Sequence, residues 1–168
     1  MDREVTVGRR DATLVVSRRL QVRLSEIGAV LGSSFGEVYG HLGTHGVEPQ
    51  GPPFVIYHSA PVGDDPFDVE ICAPVVRATD SPAGWRIQEL PGGCFATLLH
   101  VGPYSTVKDG YDTMMAWLVG HDVAVIGPPR EVYLSEADTP PDEVHTIIEF
   151  PVAESALALA GVTLAPRS

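Results

Sequence analysis

The chain has 168 residues, of which 44% are hydrophobic and 20% are charged, and its formal net charge at pH 7 is −11. This composition is typical of one globular domain and excludes disordered and collagen-like chains. The acidic balance disfavours direct nucleic-acid binding, no apolar run is long enough to span a bilayer, and the two cysteines are too few for a disulfide framework. We therefore predict a cytoplasmic protein with no membrane association, no metal and no cofactor.

The first half of the chain has the pattern strand, helix, strand, strand. Residues 13–18 are rich in Val, Leu and Thr, which favours a strand, and apolar residues then recur three or four apart from Ile27 to Leu42, which predicts an amphipathic helix. A Gly-Pro-Pro turn at 51–53 precedes the next strand. A further strand ends at Pro74, where the missing N–H would interrupt a ladder.

The second half follows the same order. Residues 95–100 predict a strand, and an apolar stripe from Val107 to Val119 predicts the second helix. A second Gly-Pro-Pro turn lies at 127–129, and the last strand ends near Pro151.

Three short segments recur in the same order in both halves, which indicates an internal duplication. The aligned segments are 12–15 with 96–99 (84 residues apart), 51–57 with 127–133 (76 apart) and 69–75 with 146–152 (77 apart). We predict pseudo-repeats at 1–78 and 85–152 that together form one domain over 1–152, with 153–168 as a C-terminal extension.

The duplicated pattern predicts an α+β fold with two main helices and about six strands in a mostly antiparallel sheet. One β-α-β-β unit cannot bury both its helix stripe and its strand face by itself. The two units must therefore pack together, and a ligand cleft is expected between the halves.

Several short motifs follow one another in a fixed order in the second half. They are Arg86 to Pro91, Gly102-Pro103-Tyr104, Trp117-Leu118, Gly127 to Leu134 and Ile148 to Val152. Together with the duplication, they resemble the GyrI-like proteins, also known as the bacterial transcription-activator effector-binding domain, over about residues 1–152. The resemblance implies a duplicated β-α-β-β fold that closes into a barrel-like antiparallel sheet. It also implies a cleft for bulky, often aromatic and cationic compounds; family members include parts of drug-responsive regulators, a gyrase inhibitor and hydrolases of strained-ring alkylating natural products.

Two glutamates in apolar strands are candidate ligand contacts. Glu70 keeps a spacing that resembles the family's glutamate, four residues before a closing proline, whereas the second half has Ile147 there. Glu149 shares a strand face with Ile147, and a carboxylate that faces an apolar cavity would attract a cation or act as a general base. Solvent exposure is the alternative for both glutamates. Glu131 shares a face with Tyr133 and is expected either to line the cavity or to form an ion pair on the surface, with the surface pair slightly favoured.

Aromatic side chains supply the remaining candidates, because their rings offer apolar area and attract cations. Core packing is the alternative for each of them. The candidates are Tyr57, Tyr104, Tyr133, Trp85, Trp117 and Phe95.

The sequence favours a stand-alone protein that binds a hydrophobic, aromatic or cationic small molecule, with a role in multidrug binding or sequestration. The first alternative is a hydrolase of strained rings, with Glu149 as general base and Tyr104 as proton donor. The second is a protein-interaction role, such as modulation of gyrase.

Overall fold

Eight β-strands form one antiparallel sheet that curls into a half-barrel in the computed structural model, which describes residues 4–160. Helix α1 (Ile27–Thr44) lies between β2 and β3, and helix α2 (Val107–Gly120) lies between β6 and β7. The predicted α+β class is thus confirmed, with eight strands rather than about six. In chain order the strands are β1 (Val5–Arg10), β2 (Thr13–Val22), β3 (Phe54–Tyr57), β4 (Phe67–Pro74), β5 (Arg86–Leu90), β6 (Gly93–Val101), β7 (Arg130–Tyr133) and β8 (His145–Val152).

The two strands beyond the expected six are the edge strands β1 and β5. The sheet order is β1-β6-β8-β7-β3-β4-β2-β5. Strand β1 therefore pairs with β6 of the second half, and β5 pairs with β2 of the first half. Both edge strands carry charged and polar residues, which protect an open sheet edge from pairing with another chain. Because of these residues, the two strands lack the apolar pattern from which a strand is predicted. Because each half supplies the other's edge, neither half completes its sheet alone.

A pseudo-twofold axis relates the halves and passes between β3 and β7. In their antiparallel register Val55 lies opposite Glu131. These two residues are equivalent in the repeat because they are 76 residues apart, so the twofold rotation exchanges them and the axis passes between them. The same offset relates the buried faces of the helices, which are Ser34, Val38 and Leu42 in α1 and Gly110, Met114 and Leu118 in α2.

The strand registers confirm one predicted repeat offset and correct another. Pairing of β3 with β4 and of β7 with β8 makes Glu70 equivalent to Ile147, as the offset of 77 requires. Pairing of β2 with β4 and of β6 with β8, however, makes Val15 equivalent to Phe95. The predicted 84-residue offset of the first strands is therefore wrong by four residues. A shift of four leaves every side chain on its original face, so alternation alone cannot detect it.

The two faces of the sheet have different cores. On the helix face, one apolar cluster lies beneath α1 and a second beneath α2. On the opposite face a smaller cluster contains Phe54, Cys72 and Val132. Of the predicted C-terminal extension, Glu154–Leu159 forms a 3₁₀ turn whose Ala156 packs into the α2 cluster, and residues 161–168 lie outside the described range, as do 1–3. Between residues 4 and 160, no helix has the length and apolar character needed to cross a membrane.

The two tryptophans give each half its own fluorescent reporter, because Trp85 packs in the α1 cluster and Trp117 in the α2 cluster. We expect Trp117→Phe and Trp85→Phe variants each to show one urea transition, with coincident midpoints by fluorescence and by far-ultraviolet circular dichroism. The central β3–β7 pair and the exchanged edges couple the halves into one cooperative unit. A fluorescence midpoint that precedes the dichroism midpoint in either variant would show that the halves unfold separately.

Candidate functional site

Four of the chain's five tyrosines gather on the helix face around the pseudo-twofold axis. The hydroxyls of Tyr57 and Tyr133 are 3.1 Å apart. Tyr111 of α2 donates a hydrogen bond of 2.7 Å to Glu131 Oε2, and Tyr133 donates one of 3.3 Å to Glu131 Oε1. Tyr104 lies edge-on to Tyr133, with ring centroids 5.8 Å apart. We call these four tyrosines and Glu131 the tyrosine cluster.

The local sequence explains why this cluster forms. Strand alternation puts Glu131 and Tyr133 on one face of β7, and the twofold axis puts Tyr57 at the position equivalent to Tyr133. On the helices, Phe35 and Tyr111 occupy equivalent positions at the margins of the buried stripes. Phe35 contacts the Tyr133 ring edge-on at 6.2 Å, and Tyr111 reaches Glu131 from the other side.

Glu131 is a buried carboxylate without a basic partner. Only 7% of its surface is exposed, and no Lys, Arg or His nitrogen within residues 4–160 lies within ion-pair distance of it. Burial raises its pKa above the usual glutamate value, and the hydrogen bonds from Tyr111 and Tyr133 only partly oppose this effect. Of the two alternatives for Glu131, the slightly favoured surface ion pair is therefore wrong, and the carboxylate lies in the interior.

The phenols around Glu131 are held in their neutral form. Burial, and then the negative charge of Glu131, raise the pKa values of Tyr57 and Tyr111 far above that of a free phenol. The same two causes raise the pKa of Tyr104. Neutral phenols keep their protons, so Tyr111 and Tyr133 remain hydrogen-bond donors to the carboxylate at all physiological pH values.

Tyr104 covers the solvent side of the cluster. It follows Gly102 and Pro103 and begins a 3₁₀ turn, Tyr104–Thr106, that leads directly into α2. Gly102 has φ of 139°, a conformation that residues with a side chain rarely adopt, so the turn requires glycine here. Tyr104 is 56% exposed and is therefore the member of the cluster that can move at least cost.

The cleft predicted between the halves coincides with the tyrosine cluster, whose phenols surround Glu131 and leave it only 7% exposed. Two surface cavities lie elsewhere, one of about 480 Å³ beside His45 and Arg77 and one of about 290 Å³ beside Tyr39 and Val47. Neither includes Glu131. A bulky ligand therefore reaches the carboxylate only if Tyr104 moves or α1 and α2 separate.

Glu70 is buried on the opposite face, where polar neighbours satisfy it. Its carboxylate accepts hydrogen bonds from Ser17 Oγ (2.9 Å) and Gln88 Nε2 (2.6 Å), and His58 Nε2 lies 2.9 Å from the second oxygen. Burial alone would raise the pKa of Glu70, but the bonds to His58 and Ser17 outweigh it, and the pKa lies below the usual value. Glu70 therefore acts as a structural anion and does not contact the tyrosine cluster.

Glu149 also lies on the opposite face, in an ion pair with Arg10 (2.8 Å). It is the cross-strand partner of Arg130, whose guanidinium lies between the rings of Phe54 and Phe95, 5.1 and 4.4 Å from their centroids. The sheet separates these residues from Tyr104. The structure thus does not bring Glu149 and Tyr104 together, and Phe95 lies outside the tyrosine cluster.

Both tryptophans have packing roles. Trp85 is buried against α1, and its Nε1 donates a hydrogen bond of 3.2 Å to Glu37. Trp117 packs in the α2 cluster and stacks on His121 with ring centroids 4.4 Å apart. Of the predicted site residues, the structure brings together Tyr57, Tyr104 and Tyr133. It adds Glu131 and Tyr111, which the sequence prediction did not select.

These features define the class of protein. A duplicated half-barrel carries one buried acid among aromatic rings at its symmetry axis, which is the arrangement of a small-molecule-binding domain. In residues 4–160, no three potential metal-ligating side chains come together. The GyrI-like small molecule binding domain family matches residues 3–153, and the chain belongs to that family.

Solved structures share the fold at low sequence identity. The EcmrR C-terminal domain is 22% identical with a TM-score of 0.77, and the match covers 92% of this chain and 99% of that one. In the longer EcmrR chain of a DNA complex, the match covers 90% of this chain and 57% of that one, at 22% identity and a TM-score of 0.79. The comparison with curated protein sequences gives no match.

Two further structures carry ligand or activity descriptions. A structure described as a hydrolase from Listeria innocua is 14% identical with a TM-score of 0.63, and the match covers 88% of this chain and 92% of that one. SAV2435, solved with bound tetraphenylphosphonium, is 12% identical with a TM-score of 0.61, and the match covers 91% of this chain and 96% of that one. At identities this low, the structural likeness shows that the fold is shared and shows nothing more.

The buried glutamates on the two faces should have opposite effects on stability. The folded-state pKa of Glu131 is raised, so the stability it contributes is present below the unfolded pKa and is lost as pH rises through the folded pKa. The folded-state pKa of Glu70 is lowered, so its contribution is present above the unfolded pKa and is lost as pH falls through the folded pKa. We expect Glu131→Gln to raise the free energy of unfolding at neutral pH by about 1–2 kcal/mol and Glu70→Gln to lower it by about 1–3 kcal/mol.

Urea unfolding of both variants and the wild type, between about pH 4 and pH 8, measures these effects. Both differences should shrink toward the acid end, where the glutamates become protonated in both states. If Glu131→Gln is destabilising at neutral pH, the charge of Glu131 is compensated in the fold and our description of the cluster is incorrect.

Proposed function

We propose that this domain binds lipophilic aromatic cations at the tyrosine cluster, with Glu131 as the counter-charge. The observation that carries the proposal is the buried Glu131 carboxylate, which has phenol hydroxyls around it and, within residues 4–160, no basic partner. An ionised carboxylate in an apolar site is costly unless a positive charge compensates it. A cation that enters the cluster supplies that charge.

The aromatic rings of the cluster favour the same class of ligand. Tyrosine faces attract cations, and this attraction strengthens when water is excluded. Tyr57, Tyr104, Tyr111 and Tyr133 offer rings on several sides of one carboxylate, so a bulky cation with apolar substituents meets both its charge partner and its packing partners. The net charge of −11 also raises the local concentration of cations around the protein.

The structural comparison is consistent with this ligand class. SAV2435 has the same fold and was solved with tetraphenylphosphonium, which is a lipophilic aromatic cation. Its identity to this chain is 12%, so the support comes from the shared architecture and not from matched contact residues. The residues that we assign to cation binding come from the tyrosine cluster itself.

Isothermal titration with tetraphenylphosphonium tests the proposal. We expect saturable binding to the wild type and at least about tenfold weaker binding to Glu131→Gln, because the variant keeps the shape and a polar group but loses the negative charge. Triphenylphosphine oxide, which is aromatic but neutral, should bind weakly to both proteins and should not distinguish them.

Two matched glutamate variants locate the effect. Glu89→Gln changes an exposed charge on β5 and should leave the affinity unchanged, which controls for the overall field. Glu149→Gln removes the buried carboxylate of the opposite face and should leave the affinity close to that of the wild type. If Glu149→Gln abolishes binding and Glu131→Gln does not, the ligand binds on the opposite face and our assignment is wrong.

Hydrolysis is the second candidate, and one observation favours a version of it. Glu131, with its raised pKa, is hydrogen-bonded to Tyr111 and lies close to Tyr104, so the cluster holds a potential general base beside potential proton donors. The pair Glu149 and Tyr104 lacks this arrangement because the sheet lies between them. A hydrolase of this fold would therefore use Glu131.

Turnover separates the two candidates. For a hydrolase, an excess of a strained-ring electrophile such as an aryl-substituted epoxide should be consumed over many cycles, and Glu131→Gln should lower the rate by about a hundredfold or more. Glu149→Gln, if folded, should retain activity. Saturable binding without consumption of the epoxide would leave cation binding as the function of the cluster.

A further inference from the structure

Two buried polar side chains beside the tyrosine cluster each have a polar atom without a hydrogen-bond partner. His100 is 1% exposed and Thr146 is fully buried. Neither His100 Nδ1 nor Thr146 Oγ1 has a partner within the described part of the chain. A buried polar atom without a partner is destabilising, so two neighbouring ones need an explanation.

Their position connects them to the cluster. Thr146 of β8 is the cross-strand partner of both Tyr133 of β7 and His100 of β6, so the three residues form one row across the helix face. Directly opposed residues of antiparallel strands have Cβ atoms about 5 Å apart. A ligand group that packs against Tyr133 therefore lies next to Thr146 on the adjacent strand.

The loop and helix above this row pack against His100. A Cβ on Gly110 of α2 would lie only 2.7 Å from Ile148 Cδ1, so glycine lets the helix approach β8 this closely. The same Cβ position lies 3.8 Å from His100 Nδ1, so the helix backbone at Gly110 lies over the imidazole. On the other side, His100 Nε2 contacts the turn that carries Tyr104, at 3.1 Å from Thr106 Oγ1 and 3.4 Å from the Pro103 carbonyl oxygen.

These contacts determine which imidazole nitrogen holds the proton. A carbonyl oxygen only accepts hydrogen bonds, and the Thr106 hydroxyl donates its own proton to the same Pro103 oxygen at 2.9 Å. Nε2 therefore carries the hydrogen and donates to these oxygens. In neutral His100, Nδ1 is then an unpartnered acceptor, and the Thr146 hydroxyl beside it is an unpartnered donor.

We propose that His100 and Thr146 form a polar subsite of the ligand-binding cluster, which accepts a hydroxyl group of the ligand. A hydroxyl donates its hydrogen to His100 Nδ1 and accepts one from Thr146 Oγ1, so a single group satisfies both atoms. The ligand class becomes a lipophilic aromatic cation that carries a hydroxyl. This inference rests on the proposed function, because the cation must first occupy the tyrosine cluster.

A matched pair of cations tests the subsite. Tetraphenylphosphonium has no hydrogen-bonding group, whereas the 3- and 4-hydroxyphenyl triphenylphosphonium ions differ from it by one hydroxyl. We expect at least one hydroxylated isomer to bind the wild type about five- to tenfold more tightly than tetraphenylphosphonium. Thr146→Val, which keeps the side-chain shape, should remove this advantage without changing the affinity for tetraphenylphosphonium.

Three controls make the result specific. Thr146→Ser keeps the hydroxyl and should retain the preference. Thr97→Val removes a hydroxyl on the opposite face that is hydrogen-bonded to the Thr6 hydroxyl. This variant should bind both types of cation with unchanged affinity. Circular dichroism and the urea midpoint verify that Thr146→Val is folded, as expected for the loss of an unpartnered hydroxyl.

The outcomes separate the two proposals. If tetraphenylphosphonium binds but no hydroxylated isomer shows a preference that depends on Thr146, the subsite is rejected and cation binding stands. If Thr146→Val weakens both types of cation equally, Thr146 only supports the shape of the cluster, which also rejects the subsite. If neither type binds the wild type, the proposed function fails and the subsite fails with it.

Discussion

The hydrogen-bonded pair of β3 and β7 is the constraint on which the rest of the molecule depends. It joins the two halves, and its register places Val55 and Glu131 side by side at the pseudo-twofold axis. Two acids at these positions would be like charges about 5 Å apart in an apolar environment, which is strongly unfavourable. The duplicated fold can therefore hold one central carboxylate, and the halves must differ there. Valine in one copy and glutamate in the other is the minimal difference that gives a symmetric scaffold a single charged centre.

The three buried glutamates show that burial alone does not identify a ligand contact. Glu70 has hydrogen bonds from Ser17 and Gln88, a contact with His58 and an ion pair with Arg86 at 3.6 Å, and Glu149 is paired with Arg10, so both charges are compensated within the fold. Glu131 has phenol donors and no ion pair among residues 4–160. Hydrogen bonds from neutral groups reduce the cost of a buried charge but do not cancel it. The unmet charge is thus concentrated on the helix face, where the rings are also concentrated.

The sequence predicts much of the fold and part of the site. The Gly-Pro-Pro turns locate β3 and β7, the offset of 77 places β4 and β8 correctly, and the resemblance on the second-half motifs identifies the family. The edge strands were missed because their polar residues lack the pattern of a buried strand. Glu131 was misplaced because alternation groups residues by face but does not say which face carries the helices. The sequence feature that indicates the position of Glu131 is that it shares a strand face with Tyr133, which the repeat makes equivalent to Tyr57. The same ambiguity explains why Glu149, on the strand next to β7, was favoured although it lies on the other face.

Under the proposed function, the closed packing of the cluster would itself discriminate between ligands. Entry of any bulky group displaces Tyr104 and disturbs the contact between Tyr57 and Tyr133, and each disrupted hydrogen bond has a cost of about 1 kcal/mol. A neutral aromatic compound offsets this loss of free energy only through apolar contacts, and it excludes further water from Glu131 without supplying a positive charge. A cation recovers it through the carboxylate as well, since their attraction strengthens as water is excluded. On this proposal, a cluster that is closed without ligand would select for positive charge more strongly than an open pocket with the same residues, because only a ligand that interacts with Glu131 recovers the free energy needed to open it.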